Sequence, residues 1–185
     1  VALDQAALLT AIQELKFHRW AVSRPLVVAP KKVAEATWAS EAAKWDHLQG
    51  MKVIPILGTE KQRINALYAS GDVWVVNREN VPWLVDYCRN DWPFDMVVLD
   101  ESTSFKNSRS KRFLALKRVR PRIQRLVELT GTPSPNGLPD LYAQVFLLDG
   151  GARLGRTLTS FRENFMSQDY AHPGQQYRTY SLLPG

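Results

Sequence analysis

The chain has 185 residues, 45% of them hydrophobic and 10% aromatic, with a net charge of +6, which describes one globular domain with a core of ordinary size. Its apolar runs are only a few residues long and its first residues lack the basic-then-apolar order of a secretory signal, so composition excludes a membrane span and points to the cytoplasm. A single cysteine, Cys88, excludes an internal disulfide, agrees with that compartment and reads as core filler within an apolar helical pattern.

In chain order, residues 1–3 read as a strand and residues 5–15 as a helix with Ala7, Leu8, Ala11, Ile12 and Leu15 on one side. Residues 25–29 form a buried strand closed by Pro30 and Lys31. A helix follows over 33–48, with Trp38, Ala42 and Trp45 on one face as packing groups rather than base-stacking platforms. Residues 52–57 are the next strand, turning at Gly58. Thr59 and Gln62 make a capping box for a helix that buries Ile64, Leu67 and Tyr68. Residues 72–77 are a strand, and Asn80 caps a helix with Pro82 in its first turn and Val81, Leu84, Val85 and Cys88 facing inward.

The stretch Met96-Val97-Val98-Leu99 reads as a strand buried on both faces, as in a parallel sheet. It ends in Asp100 and Glu101. Such a pair suits phosphoryl transfer, with Asp100 holding a magnesium ion through its water shell and Glu101 positioning the attacking water; the plain alternative is a polar strand end capping the next turn. Residues 106–125 then carry nine basic side chains and no acid, so the whole positive excess is concentrated there. The block fits either a polyanion surface or a solvated helix face. Phe113, Leu116 and Val119 give its helix an apolar stripe, and Pro121 ends it. A strand over 126–129 leads to Thr130-Gly131-Thr132 and a helix over 138–148. Ser160 to Glu163 reads as a second capping box opening a helix with Phe161 and Phe165. Residues 167–185 form a turn-rich extension with no assignment.

Strand-helix alternation of this kind predicts an α/β domain, a parallel sheet with helices on both faces. Ligands bind such sheets at the carboxyl ends of the strands. Those ends are Pro30-Lys31, Gly58-Thr59, Asn77-Arg78, Asp100-Glu101 and Thr130-Gly131-Thr132, all polar or glycine-containing turns.

The run Asp100-Glu101-x-x-x-x-Lys106-Asn107, followed by Leu129-Thr130-Gly131-Thr132-Pro133-x-x-Asn136, resembles motifs II and III of the Swi/Snf-type superfamily 2 helicases. That branch usually has Asp-Glu-Ala-His, and Ser102-Thr103 replace Ala-His here. Residues 26–31 are similar to motif Ia, residues 75–79 to a strand-end motif that touches a DNA backbone, and residues 138–165 to the segment leaving the first lobe. The likeness covers about residues 5–165 and is nearest to compact enzymes of bacteriophage genomes.

The resemblance implies a RecA-like ATP-binding lobe over residues 1–166, the first of two that move along duplex DNA by hydrolysing ATP with Mg²⁺. Asp100 would hold the metal through water, Glu101 would orient the hydrolytic water, and Thr130, Gly131 and Thr132 would relay nucleotide state. Pro30, Lys31, Asn77, Arg78, Lys106 and Asn107 would lie along the DNA, giving backbone contacts with little sequence preference.

Two expected parts are missing from this sequence. No Gly-x-x-x-x-Gly-Lys-Ser/Thr occurs, and residues 1–4 and 5–8 resemble the strand and helix on either side of that loop, which places a missing loop between Asp4 and Gln5. The second lobe and its arginine fingers are also absent, so this chain by itself is expected to be inactive. The alternative is a nucleic-acid-binding or scaffolding domain on a degenerate RecA-like core. A metalloenzyme is disfavoured by scattered His18, His47 and His172, and a serine hydrolase or dinucleotide enzyme by the absence of their glycine motifs.

Overall fold

The computed structural model of the protein describes residues 2–134, 137, 139–168 and 180–183. Five strands form one parallel sheet: β1 (Pro25–Ala29), β2 (Val53–Ile56), β3 (Val73–Asn77), β4 (Met96–Asp100) and β5 (Arg125–Leu129), in the order β2-β3-β1-β4-β5. The three central strands are buried along their whole length, as a sheet covered on both faces requires. β2 and β5 are the edges, and Pro55 is accommodated in β2 because an edge strand does not need every N–H.

Alternation of side chains along the strands separates two apolar layers. Leu26, Val28, Trp74, Val76, Val97 and Leu99 face one way, toward a core that includes Phe105, Phe113, Leu116 and Phe146. Val27, Ala29, Val73, Val75, Met96 and Val98 face the other, against Leu9, Ile12, Trp38 and Leu48. The first core is closed by α4 (Val81–Cys88), α5 (Lys111–Val119), α6 (Pro139–Asp149) and α7 (Leu158–Phe165). The second is closed by α1 (Ala2–Gln13) and α2 (Trp38–Lys44). The remaining helix, α3 (Glu60–Tyr68), carries the reciprocal cap between Thr59 and Gln62 that its sequence predicts.

Several local expectations are corrected. Residues 2 and 3 are helical rather than extended, because alanine and leucine favour a helix and nothing interrupts it; the helix runs unbroken through Asp4 and Gln5. Its inward residues are Ala6, Leu8, Leu9 and Ile12, while Ala7 and Ala11 are exposed. The helix expected over 33–48 is a π-helical turn (Val33–Thr37), α2 and a short 3-10 turn. The chain is extended at Trp45, which is 42% exposed, while Trp38 is fully buried. Tyr68 is likewise exposed. Asn80 makes no cap; its amide donates to Asn77 Oδ1 and its oxygen accepts from Arg63. The N-cap of α7 is Thr157, three residues before the predicted Ser160. In α6 the buried set is Tyr142, Ala143, Gln144, Phe146 and Leu147. Asn136, Leu138 and most of the unassigned extension lie outside the described residues; within it, β6 (Met166–Gln168) pairs antiparallel with β7 (Tyr180–Leu182). Among the described residues no helix is long and apolar enough to cross a membrane.

The basic block is partly consumed inside the fold. Arg120 donates to the carbonyls of Leu147, Leu148 and Ile123, capping the end of α6. Arg125 donates to the Ala21 carbonyl at 2.7 Å, and Arg118 pairs with Asp86. Lys111 and Lys117 stay exposed on α5.

β5 also carries a half-buried acid with one buried carboxyl oxygen. Glu128 has one carboxyl oxygen without a hydrogen-bond partner, and burial pushes its pKa from 4.5 to about 8, with the Ser102 hydroxyl offsetting part of the rise. Between those two values the folded chain holds a proton that the unfolded chain has released. Stability is therefore full below about pH 4.5 and is lost as pH rises through 8. Glu128→Gln is expected to raise the Tm at alkaline pH by at least about 5 °C while leaving it nearly unchanged in mild acid, measured by calorimetry across the range. An equal gain at both ends would contradict a titrating Glu128.

Candidate nucleotide and nucleic-acid site

Because all five strands are parallel, their carboxyl ends share one edge of the sheet. Ala29 pairs with Asn77, Val28 with Leu99, and Asp100 with Leu129. That register sets Pro30, Asn77, Asp100 and Thr130 side by side, each on or just after a strand end. The acid pair and the Thr-Gly-Thr turn are immediate neighbours.

Asp100 is 6% exposed. Its Oδ2 accepts from Gln5 Nε2 of α1 at 3.0 Å and from Trp38 Nε1 of α2 at 3.2 Å. Two neutral donors thus satisfy a buried carboxylate oxygen, the condition for keeping it there at all. Trp38 is a packing residue, as its position predicts, and a hydrogen-bond donor as well. Glu101 sits at φ 55°, ψ 61°, a left-handed conformation uncommon outside glycine. The chain turns sharply there, and the Glu101 side chain is 61% exposed with Arg78 Nη1 at 4.0 Å.

Arg78 is shared, its Nε lying 3.2 Å from Glu79. Asn77 Nδ2 also donates to Glu79 at 2.9 Å. Burial would push the Glu79 carboxyl up, but the bonds from Asn77, its own backbone N–H and Arg78 outweigh that and hold it below the usual range. Lys31 is exposed and loosely paired with Glu35 at 3.9 Å, a contact that adds little stability. Lys106 reaches Asp140 at 3.2 Å. Asn107 is exposed and its side-chain oxygen accepts from the Arg109 N–H. Lys106, Asn107, Arg109, Tyr142 and Arg162 line one open groove.

The Thr130 hydroxyl accepts from the Thr132 N–H at 3.1 Å, folding the turn on itself. A Cβ added at Gly131 would meet nothing within 4 Å. The chain itself therefore makes no steric demand for glycine there, and the space in front of the turn is open.

Sequence reasoning missed four contributors. Gln5 supplies a donor to Asp100. Gln144 and Ser102, both buried, are bonded to each other at 2.8 Å beneath the acid turn. Glu128 lies beside them. The available signals were a lone glutamine among the apolar residues of α6 and a lone glutamate between Val127 and Leu129.

These residues fit a magnesium ion only in part. Both bonds to Asp100 use Oδ2, which leaves Oδ1 for a further partner, and the Glu101 carboxylate is open. Among the described residues no three His, Cys, Asp or Glu side chains gather into a full metal cage; an ion that keeps most of its water needs only one or two carboxylates. A glycine-rich cradle for phosphates is absent from the sequence.

Comparisons with known proteins agree with this geometry. The family model of the SNF2-related domain matches residues 3–177. Protein p41 of Acyrthosiphon pisum secondary endosymbiont phage 1 is 42% identical over 184 residues, covering 96% of this chain and 40% of that protein. The DNA excision repair protein ERCC-6-like of Mus musculus is 28% identical over 174 residues, 89% of this chain and 13% of its own length. Helicase SWR1 of Mycosarcoma maydis is 35% identical over 136 residues, 69% of this chain and 7% of its own. A solved SWI2/SNF2 ATPase core of Sulfolobus solfataricus, in complex with dsDNA, shares the fold with a TM-score of 0.66 at 21% identity, over 85% of this chain and 31% of that one. The chain thus spans 40% or less of these curated relatives. With a parallel RecA-like sheet, the acid pair beside its Thr-Gly-Thr turn and a family match over most of its length, the chain belongs to the SNF2-related domain family.

Proposed function

We propose that this chain is the first lobe of an ATP-dependent DNA translocase of the Swi/Snf type, acting in the cytoplasm of a bacterial or phage-infected cell. The observation that carries the reading is the register of β4 and β5, which sets Asp100 and Glu101 against Thr130, Gly131 and Thr132. Residues 1–166 make the lobe proper and residues 167–185 an extension. A second RecA-like lobe and a phosphate-binding loop would come from outside this sequence; the unbroken helix through Asp4 and Gln5 offers no break at which that loop could be inserted.

In this reading Mg²⁺ bound to ATP supplies charge neutralisation at the transferring phosphate. Asp100 would hold that ion's water shell through Oδ1, its Oδ2 being fixed by Gln5 and Trp38. Exposed Glu101 would orient the attacking water and accept its proton. Thr130, Gly131 and Thr132 face the same edge and would report on the nucleotide. Pro30, Lys31, Asn77 and Arg78 continue that edge and, with Lys106 and Asn107, would meet the backbone of duplex DNA. Arg78 is placed to link the two sites because it approaches Glu101.

A second reading, a nucleic-acid-binding scaffold without turnover, is favoured by one observation: Asp100 is covered by Gln5 and Trp38. Glu101→Gln in the intact protein separates the two. A working motor is expected to lose on the order of 10²–10⁴ in DNA-stimulated ATPase rate while still binding ATP; no turnover before the substitution favours the scaffold. Separately, Lys31→Ala and Arg78→Ala are each expected to make the slope of log affinity against log salt shallower by about 0.9 for duplex DNA of any sequence. An unchanged slope removes that residue from the DNA surface.

A further inference from the structure

Beneath the proposed catalytic edge lies a hydrogen-bond junction that hydrolysis itself does not use. Gln144 is 3% exposed and Ser102 is 0% exposed. The Gln144 Nε2 donates to the Pro133 carbonyl at 2.7 Å and to the Asp140 carbonyl at 2.9 Å. Carbonyl oxygens can only accept, so these two bonds fix the amide orientation without any choice. Its Oε1 must then face Ser102, 2.8 Å away, and Ser102 must donate its only proton to it. One buried side chain therefore joins two backbone carbonyls and the hydroxyl of Ser102. Ser102 directly follows Glu101, Pro133 directly follows Thr132, and Asp140 lies in the first turn of α6.

We propose that Gln144, acting through Ser102 and Pro133, is a positioning residue that holds the acid turn and the Thr-Gly-Thr turn in fixed relation, so that a change at one turn is transmitted to the other. Three features support it. Glu101 occupies a left-handed conformation that persists only where its surroundings hold it, and the next residue is the one that Gln144 anchors. Thr130 to Thr132 are exposed, so the turn has little packing to hold it and depends on the anchor at Pro133. Ser102 is fully buried, so its hydroxyl needs a partner inside the fold, and Gln144 supplies it. Glu128 borders the junction from β5.

The inference rests on the motor reading, and its test uses the intact protein with Gln144→Leu, Ser102→Ala and the double variant. Expected for Gln144→Leu is a fall of about tenfold or more in DNA-stimulated kcat with KM for ATP changed by less than about twofold, since positioning rather than binding is lost. The double variant should be no worse than Gln144→Leu, because both changes break one junction. Gln144→Glu, whose carboxylate can still accept from Ser102 but has no N–H for either carbonyl, should lose at least as much as Gln144→Leu. Equal losses in kcat and affinity, or strictly additive effects, would overturn the proposal in favour of simple packing. If the unaltered protein fails to hydrolyse ATP, the motor reading fails, and the junction is judged by amide hydrogen exchange. Faster exchange at residues 130–134 in Gln144→Leu, with the strands unaffected, sustains it; unchanged exchange there overturns it.

Discussion

The structure depends on keeping a carboxylate buried at the end of its central strand. A charged oxygen placed there without partners would cost several kcal/mol. Gln5 and Trp38 remove that cost from two different helices. The same two bonds therefore fix where α1 and α2 lie on the sheet. Trp38 does both tasks at once, filling the second apolar layer with its ring and giving its N–H to Asp100. Packing and site geometry on this face are consequently one problem.

The opposite face solves a similar problem with neutral groups. Ser102, Gln144 and Glu128 form a polar island within the layer of Phe105, Phe113 and Phe146. Partly satisfied polar groups in a low-dielectric setting are costly, and well-satisfied ones are rigid. Gln144 uses both ends of its amide. Glu128 keeps one oxygen unpartnered and answers by holding a proton. The carboxyl ends of the strands thus hold one acid fixed by two donors on one face and one acid kept protonated by burial on the other.

Much of this is readable from the residues. Five strands, their parallel arrangement and the meeting of their carboxyl ends follow from β-branched runs that end in polar turns, and the structure has them in register. Thr59 with Gln62, and Phe113 with Leu116 and Val119, behave as local rules require. Periodicity fails across irregular turns. The π-helical segment at Val33–Thr37 shifts the spacing of the residues after it, and Trp45 falls outside the helix. Residues 2 and 3 depart from the expected strand because two or three apolar residues fit a strand or a helix equally well. The Gln5-Asp100 bond joins residues 95 apart in the chain, and no local pattern encodes such a contact. Likewise the basic block looks like one surface in sequence, but Arg120 and Arg125 are spent on carbonyls that only the folded chain brings near.

Among the described residues β5 has a strand neighbour on one side only, and every residue in it is half-buried. A strand in that position presents a row of amide groups ready to be extended by whatever polypeptide runs alongside. Left without such a companion, this flank invites other molecules of the same chain to stack against it. Handling of the isolated domain will be governed by that tendency to self-associate as much as by the strength of its two cores.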